Sequence, residues 1–215
     1  MPRERFITLE GGEGAGKSTQ ARLLAAKLEE KGHRVTITRE PGGAPGAELI
    51  RKLIVDGDAD RWTPRTEALL IFAAREDHLS RTIRPALERG EWVICDRFID
   101  STRAYQGAAQ GLDRQVIEKL SEIVIGEDMP ALTLMLDLPV EAGLARAGKR
   151  VEDAEAGVTE DRYEKMEIEF HQTLRRAFLD IARAEPGRCA VIDAGKSEVE
   201  VAAAIWAEVG TRLAL

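Results

Sequence analysis

One eight-residue segment near the amino terminus constrains the fold of this chain more than any other feature. Residues 11–18 read Gly-Gly-Glu-Gly-Ala-Gly-Lys-Ser, which fits the phosphate-binding pattern of two glycines separated by four residues and followed by Lys and Ser. An apolar run over 6–10 precedes this phosphate loop, and a helical pattern over 18–28 follows it. A strand, a glycine loop and a helix in this order form a unit whose backbone amides bind a phosphate chain. A glycine-rich turn with a chance lysine is the alternative, and both flanks argue against it.

The residue types of the phosphate loop predict how it binds a nucleotide. Lys17 has the reach to contact the β- and γ-phosphates, and the Ser18 hydroxyl is suited to hold Mg²⁺ beside them. The helix that follows adds partial positive charge at its amino terminus. We therefore expect ATP phosphates along Gly11, Gly12, Glu13, Gly14, Ala15, Gly16, Lys17, Ser18 and Thr19.

Short apolar runs alternate with helical patterns along the whole chain of 215 residues. This alternation predicts an α/β fold with a parallel sheet covered by helices on both faces, in a single domain over 1–215. The predicted strands are 6–10, 35–38, 92–96, 132–137 and 189–193. The predicted helices are 17–31, 46–55, 64–79, 81–89, 112–125, 139–147, 161–184 and 196–209. In such sheets ligands bind at the carboxyl ends of the strands.

Composition narrows the class of protein. A formal net charge of −7 argues against a nucleic-acid-binding surface, which needs a basic face. The two cysteines and three histidines are scattered without a metal-ligand spacing. No signal-peptide pattern and no apolar run long enough to span a bilayer is present in the sequence. We therefore expect a cytoplasmic enzyme that has neither a nucleic-acid nor a membrane partner.

Charged residues follow two of the predicted strands. Arg39 ends one strand, and Asp96 and Arg97 end another, so the two arginines are expected to clamp a second phosphate. Asp96 is placed to support Mg²⁺, with a turn cap as the alternative. The chain contains no asparagine and no D-x-x-G switch, which argues against a regulatory GTPase. A small-molecule kinase and an ATPase module coupled to a partner remain as alternatives.

A set of short segments, in order over nearly the whole chain, resembles the bacterial thymidylate kinases. The matching segments are 10–19, 38–43, 67–70 with 73–75, 96–98, 101–107, 132–134 with 136–137, and 161–164. The resemblance implies the P-loop NTPase fold and transfer of the γ-phosphate of ATP to dTMP, with Mg²⁺, for dTTP synthesis. It also implies a homodimer. A kinase for another nucleotide or nucleoside is the nearest alternative.

The same resemblance implies roles for individual residues. Those implied to contact dTMP are Glu13 (3′-hydroxyl), Arg39 and Arg97 (phosphate), Arg75, Thr102 and Gln106 (thymine), and Tyr105 (deoxyribose). Arg146 matches a residue near the adenine of ATP. With Lys17, Arg97 and Asp96 in catalytic positions, charge neutralisation of the transferring phosphate still needs one more cation.

Two departures from the family pattern leave roles open. Ala15 stands where some members carry a phosphate-loop arginine, so the extra cation is expected from a polar lid at about 149–162. Arg150 is the first candidate for this cation, ahead of Arg162 and Lys149. The second departure concerns the base, because Ile71 stands where the family has a phenylalanine and the aromatic residue is Phe72. Either Phe72 stacks on thymine, or Ile71 covers the ring and Phe72 belongs to the core.

Overall fold

The computed structural model describes residues 3–55, 61–153, 163 and 166–215. Its centre is a five-stranded, all-parallel sheet in the order β2-β3-β1-β4-β5. The strands are β1 (Phe6–Glu10), β2 (Val35–Arg39), β3 (Trp92–Asp96), β4 (Leu132–Asp137) and β5 (Cys189–Asp193). The predicted strands are confirmed, with β2 longer by one residue. The carboxyl ends of β1 and β3 are neighbours, which brings the phosphate loop beside Asp96 and Arg97.

Helices cover both faces of this sheet. They are α1 (Lys17–Glu30), α2 (Pro45–Val55), α3 (Pro64–His78), α4 (Arg84–Glu88), α5 (Ile99–Thr102), α6 (Arg114–Val124), α7 (Val140–Asp153), α8 (Ile168–Ala184) and α9 (Glu198–Leu213). Two π-helical segments continue α3 and α5, at Leu79–Ile83 and Arg103–Ala109. The arrangement is the P-loop NTPase fold.

Alternating residues of the strands point to opposite faces of the sheet and belong to different hydrophobic clusters. Ile7 and Leu9 of β1 pack with Leu24 and Leu28 of α1 and with residues of α9. Phe6, the neighbour of Ile7, points to the opposite face and packs with residues of α3 and α4. Burial of the sheet on both faces explains why the central strands β1, β3 and β4 are buried at nearly every position, whereas the edge strand β2 is partly exposed.

The structure differs from the helix predictions in three places. α7 continues to Asp153, because the alanine- and lysine-containing sequence after Leu144 favours a helix, so the amino-terminal part of the predicted lid is helical. The helix predicted over 161–184 begins at Ile168, with Tyr163 in a turn before it. The helical stretch Ile99–Ala109 was not predicted, since its π-helical part does not follow a 3.6-residue period. Within the described residues, no helix combines the length and apolar character needed to cross a membrane.

Candidate active site

The phosphate loop has the backbone geometry that its glycines suggest. Gly11, Gly14 and Gly16 adopt positive φ angles of 139°, 67° and 86°, which L-residues with a side chain rarely adopt. Gly14 also contacts α7, since an added Cβ would lie 2.0 Å from the backbone oxygen of Gly143. A side chain is therefore excluded at Gly14 both by conformation and by space, and the loop is held between β1, α1 and α7.

Two side chains at the start of α1 face the mouth of this loop. The Lys17 Nζ atom donates to the carbonyl oxygens of Gly11 at 3.2 Å and Gly12 at 2.9 Å. Burial, and then the nearby Arg97 guanidinium, lower the pKa of Lys17. Ser18 Oγ donates to Asp96 Oδ2 at 2.5 Å, so a hydroxyl and a carboxylate meet where β1 and β3 end. These two oxygen donors are of the kind that Mg²⁺ prefers.

Arg97 joins the phosphate loop to the segment after β3. Its Nη1 donates to the Gly11 carbonyl oxygen at 3.1 Å and its Nη2 to Glu13 Oε1 at 2.8 Å. The same guanidinium lies 5.0 Å from the centre of the Tyr105 ring, whose hydroxyl also donates to Glu13 Oε1, at 2.7 Å. The pKa of Arg97 is raised despite its burial, because the Tyr105, Glu13 and Asp96 groups surround it. The acidic side chain in the phosphate loop therefore positions a cation and a tyrosine.

Glu10 holds the backbone that carries Arg97. This fully buried carboxylate accepts from the amide of Phe98 at 2.7 Å and from Ser101 Oγ at 2.6 Å. Arg97 itself has a φ of 71°, a strained conformation for a residue with a side chain. Burial, with a contribution from Asp100, raises the pKa of Glu10 to about 7.

Side chains from α3 and from the helical stretch after β3 meet beside this arginine. Arg75, Thr102, Tyr105 and Gln106, four of the residues implied to bind dTMP, are all buried here. Arg75 Nη2 donates to Thr102 Oγ1 at 3.1 Å, so α3 and α5 are linked at this point. The structure therefore brings Arg75 of α3 together with three residues of the helical stretch after β3.

A buried carboxylate that sequence reasoning did not single out holds Arg75. Glu40 Oε2 accepts from Arg75 Nε at 2.7 Å, and Glu40 Oε1 lies 3.0 Å from His78 Nδ1. The other ring nitrogen of His78 lies 2.7 Å from Thr38 Oγ1, which ties the cluster to β2. Glu67 is a second buried carboxylate of this kind, and it contacts Gln106. Both glutamates lie within the segments that resemble the thymidylate kinases, at 38–43 and 67–70. That resemblance is the sequence signal that could have identified them as site residues.

The structure separates Ile71 from Phe72. The Phe72 ring is 2% exposed and packs in the core with Phe6, Leu79 and Val93. This packing favours the alternative in which Phe72 belongs to the core, although its ring also lies 5.0 Å from the Arg75 guanidinium, and its role at the thymine ring stays a prediction. Ile71 lies between Glu67 and Arg75 on the same side of α3, at a spacing of four residues from each. One residue of helical rotation, about 100°, decides which of the two faces the site.

The remaining predicted site residues lie farther out. Arg39, at the end of β2, is exposed and pairs with Glu48 at 3.2 Å. Arg146 on α7 is exposed, and its Nη1 donates to the Ala194 carbonyl oxygen at 3.1 Å. Arg150 belongs to the last turn of α7, and Arg162 lies outside the described residues, as does most of the predicted lid. Ala15 is buried and Thr19 half-buried in the loop and α1.

Comparison with known proteins places this geometry in a family. The family model described as "Thymidylate kinase" matches residues 9–205. The chain belongs to the thymidylate kinase family. A thymidylate kinase of Caulobacter vibrioides is 55% identical over 215 residues, with the whole of both chains covered. One of Rhodopseudomonas palustris is 52% identical, covering 98% of this chain and 90% of the relative.

A solved structure agrees with these sequence relatives. The crystal structure of thymidylate kinase from Ehrlichia chaffeensis superposes with a TM-score of 0.74 at 34% identity, covering 95% of this chain and 97% of that one. As a thymidylate kinase, the chain is a phosphotransferase that phosphorylates dTMP with ATP. The predicted family, fold and reaction are confirmed, and the ATPase-module alternative is set aside.

Proposed function

We propose that this thymidylate kinase performs its reaction at the junction between the phosphate loop and the Arg75–Gln106 cluster. The observation that carries the proposal is Arg97, because one guanidinium contacts both the loop and the ring of Tyr105. A cation in this place can contact the phosphates of both nucleotides. ATP then lies along residues 11–19 with its adenine toward Arg146, and dTMP lies between α3 and α5 with its phosphate toward Arg39 and Arg97.

Phosphoryl transfer depends mainly on positioning and on neutralising charge. Lys17 exchanges its carbonyl partners for phosphate oxygens, and Arg97 holds the acceptor phosphate in line with the donor. Ser18 and Asp96 would hold Mg²⁺, which when bound neutralises charge on the β- and γ-phosphates. Glu13, already bonded to Tyr105, accepts a hydrogen bond from the 3′-hydroxyl of the sugar.

Substrate preference tests this proposal directly. ADP release should be followed with each nucleoside monophosphate in the presence of ATP and Mg²⁺. We expect dTMP to react best, dUMP more weakly and purine monophosphates hardly at all. The reason is that buried hydrogen-bonding side chains reject bases that leave them unpaired. Equal rates with dTMP and AMP would contradict the proposed position of the base.

Ile71, as the residue on the Glu67–Arg75 side of α3, is proposed to cover the thymine ring. Ile71→Ala should raise the KM for dTMP by about tenfold, since burying an aliphatic side chain of this size against the ring is worth about 1.5–3 kcal/mol. Phe72→Ala should instead lower the free energy of unfolding by about 3–5 kcal/mol, the usual loss for a core aromatic. The reverse pattern of KM and thermal stability would return the stacking role to Phe72.

Which lid residue supplies the catalytic positive charge stays a prediction. Arg150 is proposed to reach the transferring phosphate on closure, so Arg150→Ala should lower kcat by about 10³-fold while ATP binding stays nearly unchanged. Arg162→Ala is the companion variant. If only Arg162→Ala is inactive, the role belongs to Arg162, and if both variants turn over normally the lid supplies no catalytic charge.

A homodimer in the cytoplasm is proposed for the functional form. Adjacent helices of one side expose large apolar side chains, namely Leu49 and Leu53 of α2, Leu69 of α3 and Ile123 of α6. A surface of this kind fits a self-complementary interface. Analytical ultracentrifugation should give twice the mass of the chain, and Leu49→Glu should shift the population toward monomer. A monomer at micromolar concentration would refute this part of the proposal.

A further inference from the structure

Two rows of side chains face each other across the proposed base site. One row, on α3, contains Glu67, Ile71 and Arg75, and the other, on the helical stretch Ile99–Ala109, contains Thr102 and Gln106. We call these the α3 row and the α5 row. Arg75 bonds to Thr102 at one end, and Glu67 accepts from Gln106 Nε2 at 2.6 Å at the other. Ile71 therefore lies between two polar contacts that join the rows.

The Arg75 end of this site offers a hydrogen-bond donor. A guanidinium has N–H groups only and accepts nothing. Glu40 occupies its Nε and Thr102 its Nη2, whereas Nη1 is buried and has no hydrogen-bond partner among the described residues. A buried donor without a partner is costly in free energy, so an acceptor on a ligand is the natural complement.

The Gln106 end of the site offers a hydrogen-bond acceptor, because Glu67 determines which way the Gln106 amide faces. A carboxylate only accepts hydrogen bonds, so the amide of Gln106 must turn its NH₂ group toward Glu67. Glu67 Oε1 also accepts from Gln110 Nε2 at 3.1 Å and from the Tyr163 hydroxyl, which favours the acceptor role of this oxygen. Oε1 of Gln106 makes no hydrogen bond within the part of the chain that the structure describes.

We infer that Glu67 is a positioning residue that fixes the amide of Gln106 and thereby selects the hydrogen-bonding edge of the base. A donor at Arg75 beside an acceptor at Gln106 complements an imide edge, in which a carbonyl oxygen adjoins an N–H group. Thymine and uracil carry this edge, whereas cytosine carries an amino group beside an unprotonated ring nitrogen. The inference rests on the proposed position of the base between the two rows.

The test is Glu67→Gln, assayed by kcat/KM with dTMP, dCMP and dUMP. A glutamine at 67 both donates and accepts, so it no longer dictates which way the Gln106 amide faces. We expect the dTMP:dCMP ratio of kcat/KM to fall by about tenfold, the size of one lost hydrogen-bond discrimination. The dTMP:dUMP ratio should stay constant, because both bases present the same imide edge.

Three further tests separate this role from a merely structural one. Gln110→Leu removes another donor to the same Glu67 oxygen and should leave the dTMP:dCMP ratio at its wild-type value. In a Gln106→Leu background, Glu67→Gln should have no further effect on the ratio, since a residue that acts through Gln106 loses its influence once Gln106 is gone. Glu67→Asp, which draws the carboxylate back by one methylene, should change the ratio in the same direction as Glu67→Gln.

The outcomes distinguish the two layers of the proposal. If the wild-type enzyme does not prefer dTMP to dCMP, the position of the base is wrong, whatever Glu67 does. If the wild-type enzyme prefers dTMP but Glu67→Gln leaves the dTMP:dCMP ratio unchanged, the positioning role is overturned. The same holds if Glu67→Gln changes the ratio as much in the Gln106→Leu background as in the wild-type enzyme. Loss of folding in both Glu67 variants would likewise overturn it and assign Glu67 to stability.

Discussion

The two halves of this active site are built by different means. The phosphate loop is one continuous segment that presents backbone groups, and its shape depends on glycines with positive φ at 11, 14 and 16. The α3 and α5 rows present side chains from separate segments, and buried carboxylates, Glu40 and Glu67, fix their orientation. The first half recognises phosphate, which all nucleotides share, and the second is suited to recognise one base. General recognition can rest on backbone, whereas selective recognition needs oriented side chains.

Among the variants that separate these two halves, the largest expected effect falls on the phosphate loop. Lys17→Ala removes the ammonium that faces the phosphates and should lower kcat by about 10²–10³-fold, as the loss of a group that stabilises transition-state charge does. The affinity for dTMP, measured by calorimetry, should persist because the other half is intact. Lys27→Ala, on the exposed side of the same helix, is the control and should leave kcat unchanged. Normal turnover by Lys17→Ala would mean that this loop is not the donor site.

A second variant breaks the other half. Glu40→Gln leaves the Arg75 guanidinium buried without its ionic partner, at 1% side-chain exposure. Breaking a buried pair in this way costs about 3 kcal/mol or more of folding stability, which chemical denaturation measures. The KM for dTMP should also rise while that for ATP stays. Arg39, paired with Glu48 at the surface, offers a matched comparison, since Glu48→Gln should change stability by less than about 1 kcal/mol.

The same difference explains why the phosphate loop could be predicted from the sequence more fully than the α3 and α5 rows. Glycine spacing and apolar runs are local patterns, so the phosphate loop and all five strands are predicted from the residues themselves. Whether Glu40 and Glu67 are buried depends on contacts between segments, and no local pattern distinguishes them from exposed glutamates. The choice between Ile71 and Phe72 depends on the rotation of α3, and Gln106 lies on the π-helical stretch Arg103–Ala109, which a 3.6-residue period does not predict.

The contact between the phosphate loop and α7 allows a smaller perturbation of the first half. A Cβ at Gly143 would lie 2.5 Å from the backbone oxygen of Glu13, so Gly143→Ala must displace the loop. We expect kcat/KM for ATP to fall by about 10–100-fold, because displacements of the order of 1 Å cost that much in rate.

A second glycine on the same helix provides the control for that perturbation. Among the residues that the structure describes, an added Cβ at Gly148 meets no atom within 4 Å, so Gly148→Ala should keep activity. Its unfolding temperature should rise slightly, since alanine favours a helix over glycine by about 1 kcal/mol. If both alanine variants behave alike, close packing of α7 on the loop is not what sets the geometry of the first half.

The smallest expected effect concerns Glu10, which joins the two halves by anchoring the backbone around Arg97. Its pKa is raised to about 7 in the fold from an ordinary value of 4.5, so the folded state favours the protonated carboxyl. The stability that this proton contributes is complete below pH 4.5, declines as the pH rises and is lost once the pH passes 7. Between pH 6 and 8 the wild-type enzyme should therefore lose about 1 kcal/mol of unfolding free energy relative to Glu10→Gln. Urea denaturation of both proteins at the two pH values measures this difference. If the difference in unfolding free energy between the two proteins does not vary with pH, Glu10 is ionised throughout this range, stabilised by Arg97 and the Ser101 hydroxyl. The two halves are then joined by a permanent charge.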